Sequence, residues 1–213
     1  MSTWLAAKYL IKICGVTNVL DAQAVMTAGA DALGMIFAES PRAISTATAT
    51  QVSQMTEGQL TRVAVFRDRS DAEILTTLDL VGFDAVQLHD HLSGELETRL
   101  RARGLSIIKA LAITSEEFAV FDEHRVDAVL IDGPRPGAGE SHSWARLEER
   151  AFDVPVVAAG GLTPANVASV IDLIHPWGVD CASGVEKRPG EKDATRVSNF
   201  VANAQRAFDE TRE

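Results

Sequence analysis

Four short stretches of this chain carry side chains whose chemistry goes beyond packing. Cys14 closes the segment Leu10-Ile11-Lys12-Ile13, and Asp132 closes the apolar run Val129-Leu130-Ile131. A thiol and a carboxylate held on opposite sides of one pocket mouth can act as base and acid around a sugar. A free thiol titrates near ~8.5 and becomes a usable base where its surroundings help form the thiolate. Each residue also has a plainer reading, Cys14 as a buried small hydrophobe and Asp132 as a loop cap. Further on, Ala159-Gly160-Gly161-Leu162-Thr163-Pro164 turns from an apolar run into helical spacing. Glycines in such a turn let backbone N–H groups approach an anion. A tight turn alone would explain the glycines, but Ser183-Gly184 follows the next apolar run and makes phosphate the better reading.

The elements that must position these residues follow from the apolar runs at 10–14, 32–37, 62–66, 85–88, 106–110, 128–131, 154–158 and 179–182. Most are rich in Val and Ile with little polar alternation, as in parallel strands covered on both faces. Between them lie helix-like segments with start signals: Thr17-Asn18 before 19–29, Ser93 before 94–104, Thr163-Pro164 before 165–174 and Asp193 before 194–210. Three strands are preceded by one recurring phrase, Gly29-Ala30-Asp31, Gly82-Phe83-Asp84 and Val126-Asp127. Eight such units without a linker predict an α/β fold, a single (β/α)8 TIM barrel over 10–213 with a short extension at 1–9. An open doubly wound sheet is the structural alternative. It is weakened because no Gly-rich dinucleotide fingerprint follows the first strand.

In such barrels the reactive face is the carboxyl end of the strands. There the strands deliver Cys14, then Arg42 in Glu39-Ser40-Pro41-Arg42, His89-Asp90, Asp132, Gly160-Gly161 and Ser183-Gly184. Side chains alternate across a strand, so a pocket-facing Cys14 puts Lys12 on the same side. On the last strand Asp180 takes the pocket side and Cys181 packs under the helices. The expected consequences are an inward Lys12–Asp180 ion pair and no Cys14–Cys181 disulfide. Lys109 either reaches the pocket or seals the barrel end. His124, His142 and His175 are read as surface or packing residues.

Composition narrows the partners. The chain has 213 residues, 46% of them hydrophobic, and a formal net charge of −10. That balance argues against nucleic acid, whose phosphates are bound by clustered Lys and Arg. Two distant cysteines without a CxxC or His/Cys cluster indicate neither a metal site nor a disulfide framework. No leader-like start and no run near the ~18 apolar residues of a membrane span is present. The expectation is a cytoplasmic monomer acting on a small molecule, with no membrane, nucleic-acid or metal partner.

The residues then resemble a known family, phosphoribosylanthranilate isomerase. The resemblance rests on Lys12-Ile13-Cys14-Gly15-Val16-Thr17-Asn18, Gly34-Met35-Ile36-Phe37, Ser40-Pro41-Arg42 and Val86-Gln87-Leu88-His89. It continues through 159–167, 180–186 and Gly190-Glu191-Lys192-Asp193, all in family order. It implies a (β/α)8 barrel that performs an Amadori rearrangement without cofactor on a sugar phosphate. By the same resemblance Asp132 is the general acid and Cys14 the general base. Arg42 binds the anthranilate carboxylate, Asp180 orients the sugar, and His89 lies at the substrate or just behind it. Gly160, Gly161, Ser183 and Gly184 hold the phosphate.

The chain departs from the family pattern in places. Asp90 stands where the family usually has Gly, Ala182 where it usually has Ser, and Glu140 and Ser143 break the pattern of the loop before Trp144. Two rival functions are a histidine-pathway or bifunctional barrel isomerase and a non-catalytic phosphate-binding barrel. The first expects an Asp ending strand one and glycines after strand three, where this chain has Cys14 and Phe66-Arg67-Asp68-Arg69. Retention of Cys14 together with Asp132 argues against the second.

Overall fold

A computed structural model describes residues 7–133, 144, 147 and 151–211. Among them, β1 (Leu10–Cys14), β2 (Ala32–Ile36), β3 (Thr61–Phe66), β4 (Ala85–Leu88), β5 (Ser106–Ala112), β6 (Ala128–Asp132), β7 (Val156–Ala159) and β8 (Gly178–Cys181) pair in sequence order. All are parallel, and β8 returns to β1 to close the barrel. The described helices are α1 (Val19–Thr27), α2 (Thr46–Thr56), α3 (Asp71–Leu80), α4 (Gly94–Ala102), α5 (Glu116–Val120), α6 (Val167–Ile174) and α7 (Ala194–Glu210). The expected TIM barrel is the observed fold.

Strand alternation divides the apolar residues into two cores. Ile11, Ile13, Leu33, Met35, Val86, Ile107, Val129 and Ile131 point outward under the helices. Leu10, Cys14, Ala32, Val63, Ala85, Ile108, Ala128 and Val157 point into the barrel. Lys109 shares the outward parity: its Nζ donates to the His89 carbonyl at 3.0 Å and to Glu117 at 3.2 Å. It seals the rim instead of reaching the pocket.

The recurring phrase before three strands has one physical job. Asp31, Asp84 and Asp127 each accept the backbone N–H of the preceding barrel strand, from Ile11 at 2.7 Å, Arg62 at 2.8 Å and Ile107 at 2.7 Å. At the barrel's lower edge these carboxylates satisfy amides that the ladder leaves open. The expected helix starts at Asn18, Ser93 and Asp193 are side-chain caps, accepting from Asp21, Leu96 and both Thr195 and Arg196.

Several boundaries differ from expectation. β7 begins at Val156 rather than 154, because Pro155 has no N–H to offer the ladder. α6 begins at Val167 rather than 165, since the Asn166 side chain is turned back. Its Oδ1 accepts from Thr163 N at 2.7 Å and its Nδ2 donates to Gly161 O at 3.1 Å. The glycines therefore lead into a closed turn before the helix, not directly into its N-terminus. After β8 a 3₁₀ turn, Ser183–Val185, precedes an unanticipated antiparallel hairpin of β9 (Glu186–Arg188) and β10 (Glu191–Lys192).

Residues 7–9 pack on the last helix: Tyr9 stacks on Phe208 at 4.8 Å and Lys8 pairs with Asp209 at 3.2 Å. The family-pattern departures at Glu140 and Ser143, and His142, lie outside the described residues. No described helix is long and apolar enough to cross a membrane.

Candidate functional site

At the carboxyl ends of the strands lies a cavity of about 520 Å³. Its floor is polar although the barrel interior is otherwise small and apolar. Lys12 and Asp180, register partners on β1 and β8, bring Nζ and Oδ1 to 2.9 Å with side chains 1% and 8% exposed. The expected inward ion pair is thus present. Burial pulls the Lys12 ammonium down, but Asp180 and then Cys14 outweigh it and leave it raised.

Cys14 lines the cavity one turn of the pleat above Lys12 and is 5% exposed. Its thiol is raised, first by burial, with Lys12 as the strongest opposing influence. Gly34, opposite on β2, makes this arrangement possible. A Cβ there would sit 2.7 Å from the Cys14 Sγ and 3.2 Å from the Lys12 Nζ. Cys181 faces the other way, buried under the helices with its Sγ donating to the Leu162 carbonyl at 3.1 Å. Both cysteines are free.

Asp132, the last residue of β6, is exposed and lines the same cavity as Cys14. Gly160 packs against it, so that a Cβ at Gly160 would lie 2.6 Å from Asp132 Oδ1 and 2.5 Å from the Gly133 carbonyl. Gly160 and Gly161 have φ of 88° and 65°, a region that side chains with a Cβ rarely adopt. These two residues and Ser183 line one wall. Gly184 does not: it sits behind that wall, its N–H toward the Cys181 thiol. A Cβ on it would fall on the Leu162 carbonyl oxygen, so this glycine lets the β8 turn close against the β7 loop.

Arg42 and His89 line the same cavity. Arg42 donates through Nε and Nη2 to the two oxygens of Glu186, each at 2.8 Å. Glu186 also receives Lys192 Nζ at 3.1 Å, and both of these side chains are nearly inaccessible, 3% and 0% exposed. Burial pushes the Glu186 carboxyl up, but Arg42 and Lys192 together hold it below the usual carboxylate range. His89 is lowered to about 4, by burial first and then by Arg67 and Lys12. Its Nδ1 faces Arg67 Nη2 at 2.9 Å and its Nε2 faces the Gln87 amide at 3.1 Å. A guanidinium only donates, so Nδ1 accepts and Nε2 carries the proton. That proton needs an acceptor, which assigns the Gln87 amide oxygen to the side facing His89.

Every site residue expected from sequence except Gly184 lines this one cavity. Sequence reasoning missed four contributors. Glu186 and Lys192 lie in a hairpin that carried no strand signal. Gln87 was read only as part of a strand. Gly34 interrupts an apolar strand, which is itself a sign of close backbone approach. Asp90, the unusual residue after His89, accepts from Asp68 N at 2.5 Å. It closes the loop that carries Arg67 and has a structural part.

A family model for N-(5′-phosphoribosyl)anthranilate (PRA) isomerase matches residues 11–203. An N-(5′-phosphoribosyl)anthranilate isomerase of Haloarcula marismortui is 40% identical over 207 residues, 92% of this chain and 96% of that one. The crystal structure of phosphoribosyl anthranilate isomerase from Thermotoga maritima superposes with a TM-score of 0.81 at 35% identity, covering 92% of this chain and 98% of that chain. A phosphoribosyl anthranilate isomerase in complex with reduced 1-(o-carboxyphenylamino)-1-deoxyribulose 5-phosphate matches at 0.78 and 33% identity, covering 92% and 98%. Coverage is nearly complete on both sides, and the match runs through every strand that builds the cavity. The chain belongs to the N-(5′-phosphoribosyl)anthranilate isomerase family.

Proposed function

We propose that this chain is a cytoplasmic, monomeric isomerase of tryptophan biosynthesis that needs no cofactor. It converts N-(5′-phosphoribosyl)anthranilate to 1-(2-carboxyphenylamino)-1-deoxyribulose 5-phosphate. The observation that carries the reading is that Cys14 and Asp132 line one cavity together with a glycine-rich turn and a guanidinium.

In this reading the backbone N–H groups of Gly161 and Ser183 hold the phosphate, with Gly160 and Gly184 allowing the two loops to close on it. Arg42 receives the anthranilate carboxylate, where a guanidinium fork suits a planar anion. Asp132, as the carboxylic acid, gives its proton to the furanose ring oxygen. The C1′–O bond breaks as the anilino nitrogen lone pair forms the Schiff base. The Cys14 thiolate then removes the C2′ proton, and the electron pair moves through C1′ to nitrogen, leaving an enolamine. Tautomerisation moves the 2′-hydroxyl proton out and adds one at C1′, giving the ketone. Asp180 and the neutral His89 orient the sugar. General acid and base catalysis of this kind contributes about 10²–10⁴-fold each.

The test is turnover by the purified chain, with phosphoribosylanthranilate generated in situ and loss of its fluorescence followed. Collapse of turnover in both Cys14→Ala and Asp132→Asn is expected. Turnover that persists in both variants would retain the reaction and overturn the assigned roles. Binding of a phosphate ligand without turnover in the unmutated chain would overturn the reaction.

A further inference from the structure

Three lysines are buried among the described residues, and two of them are well paired. Lys109 donates to the His89 carbonyl and to Glu117, and Lys192 donates to the Ala182 carbonyl and Glu186, both at 3.1 Å. Lys12 is the exception. Its Nζ lies 2.9 Å from Asp180 Oδ1 in poor hydrogen-bond alignment, and the other polar side chain it meets is the Cys14 thiol. An ammonium offers three donors, and a single poorly aligned carboxylate contact at this depth does not occupy them all. Lys12 thus has donors to spare beyond the ion pair.

The direction of the side chain shows what those donors face. Lys12 Nζ and Cys14 Sγ reach the same point over the Gly34 Cα, which a Cβ would approach to 3.2 and 2.7 Å. The space is kept clear by the absence of a side chain on β2. Cys14 lines the cavity, whereas Lys12 lies beneath it with 0% exposure. Lys12 therefore faces the thiol from behind, where no substrate atom reaches it.

We propose that Lys12 is the counter-charge that lets Cys14 ionise at the floor of the pocket, its ammonium donating to the thiolate. Lys12 acts through Cys14 and is a positioning residue. The thiol proton leaves through the cavity to solvent, and Lys12 keeps its own. The inference rests on Cys14 being the base of the proposed reaction. Other charged groups facing Cys14 are Asp180 from β8, Lys192 from β10 and Arg42 from the loop after β2. Asp180 opposes ionisation. Lys192 and Arg42 favour it, but both are already paired with Glu186. His89, beyond β4, is neutral. Burial disfavours the thiolate most, and Lys12 is the strongest influence in its favour.

The test is the pH dependence of iodoacetamide alkylation of Cys14 in the full chain without substrate, read by peptide mass spectrometry. Cys181, pushed up to about 12 by burial, serves as the internal control. Lys12→Met is expected to raise the alkylation midpoint of Cys14 by about 1–3 pH units, as for loss of an opposite charge at close range. The acid limb of kcat/KM should move up with it. Asp180→Asn is expected to lower the midpoint, since that carboxylate opposes the thiolate directly. An unchanged midpoint in folded Lys12→Met overturns the inference. If circular dichroism shows that Lys12→Met does not fold, Lys12→Gln is read instead: a raised midpoint supports the inference and an unchanged or lowered one overturns it. Alkylation requires no turnover, so an inactive unmutated chain would remove the proposed reaction while leaving this result standing.

Discussion

Arg42 and Glu186, 144 positions apart in sequence, meet as a two-point ion pair, Nε to Oε1 and Nη2 to Oε2, both at 2.8 Å. Glu186 is anchored in turn by Lys192, and the hairpin that carries both is tied to the loop after β1 by Thr17 Oγ1 donating to the Gly190 carbonyl at 2.6 Å. A guanidinium gripped along one edge cannot rotate freely. Arg42 lines the cavity with that edge already engaged before any ligand arrives. Such preorganisation lowers the cost of ordering a long side chain on binding.

Glu186→Gln should therefore weaken substrate binding more than chemistry. The variant loses a charge-assisted contact worth about 1.5–3 kcal/mol, so kcat/KM should fall by roughly 10–100-fold, mainly through KM. Steady-state kinetics check this. A fall confined to kcat would show that Glu186 serves the reacting centre instead of Arg42.

Gly34→Ala should disable the floor of the site. The added methyl would lie 2.7 Å from the Cys14 sulfur, and overpacking of this kind costs about 1–3 kcal/mol. Urea unfolding should show the lower stability, and turnover should drop further than global unfolding explains. Wild-type turnover in Gly34→Ala would show that the thiol can move aside at no cost.

Gly160→Ala should act on the phosphate wall and on Asp132 together. The position has φ of 88°, and a Cβ would press on the Gly133 carbonyl at 2.5 Å. Affinity for inorganic phosphate, measured by calorimetry, should fall along with turnover. Intact phosphate affinity in Gly160→Ala would remove this turn from the phosphate site.

His89 should make the fold sensitive to mild acid. Its folded value, about 4, lies below the ordinary 6.5, so the unfolded chain takes up a proton that the folded chain refuses. This contribution to stability is complete above about pH 6.5 and is lost as pH falls toward 4. Thermal melts across that window should show a steeper decline in Tm for the unmutated chain than for His89→Gln. Equal slopes would place the sensitivity elsewhere.

Much of this molecule was legible before any coordinates. Parallel strands buried on both faces must be apolar, so the eight runs stand out from the helices between them. The alternation of side chains then decided that Lys12 shares a side with Cys14, and that Asp180 and Cys181 part company. Both outcomes follow from a period of two and need no knowledge of the neighbours. The glycine pair at 160–161 was legible for a similar reason, since local backbone geometry is written in local residues.

What the sequence by itself could not determine is whatever depends on loops meeting across the barrel mouth. Nothing near Arg42 announces Glu186, because their contact exists only once β2 and the hairpin after β8 are brought together by closure of the sheet. The turn before α6 differed from expectation for a related reason: the Asn166 side chain can cap a helix or close the loop behind it, and the geometry of the β7 exit selects the second. Lys12 is the clearest case. Its type and parity were visible in sequence, but its poor alignment with Asp180 was not. That depends on a 2.9 Å contact out of alignment with Asp180 and on the space left over Gly34, which only three strands packed side by side can set.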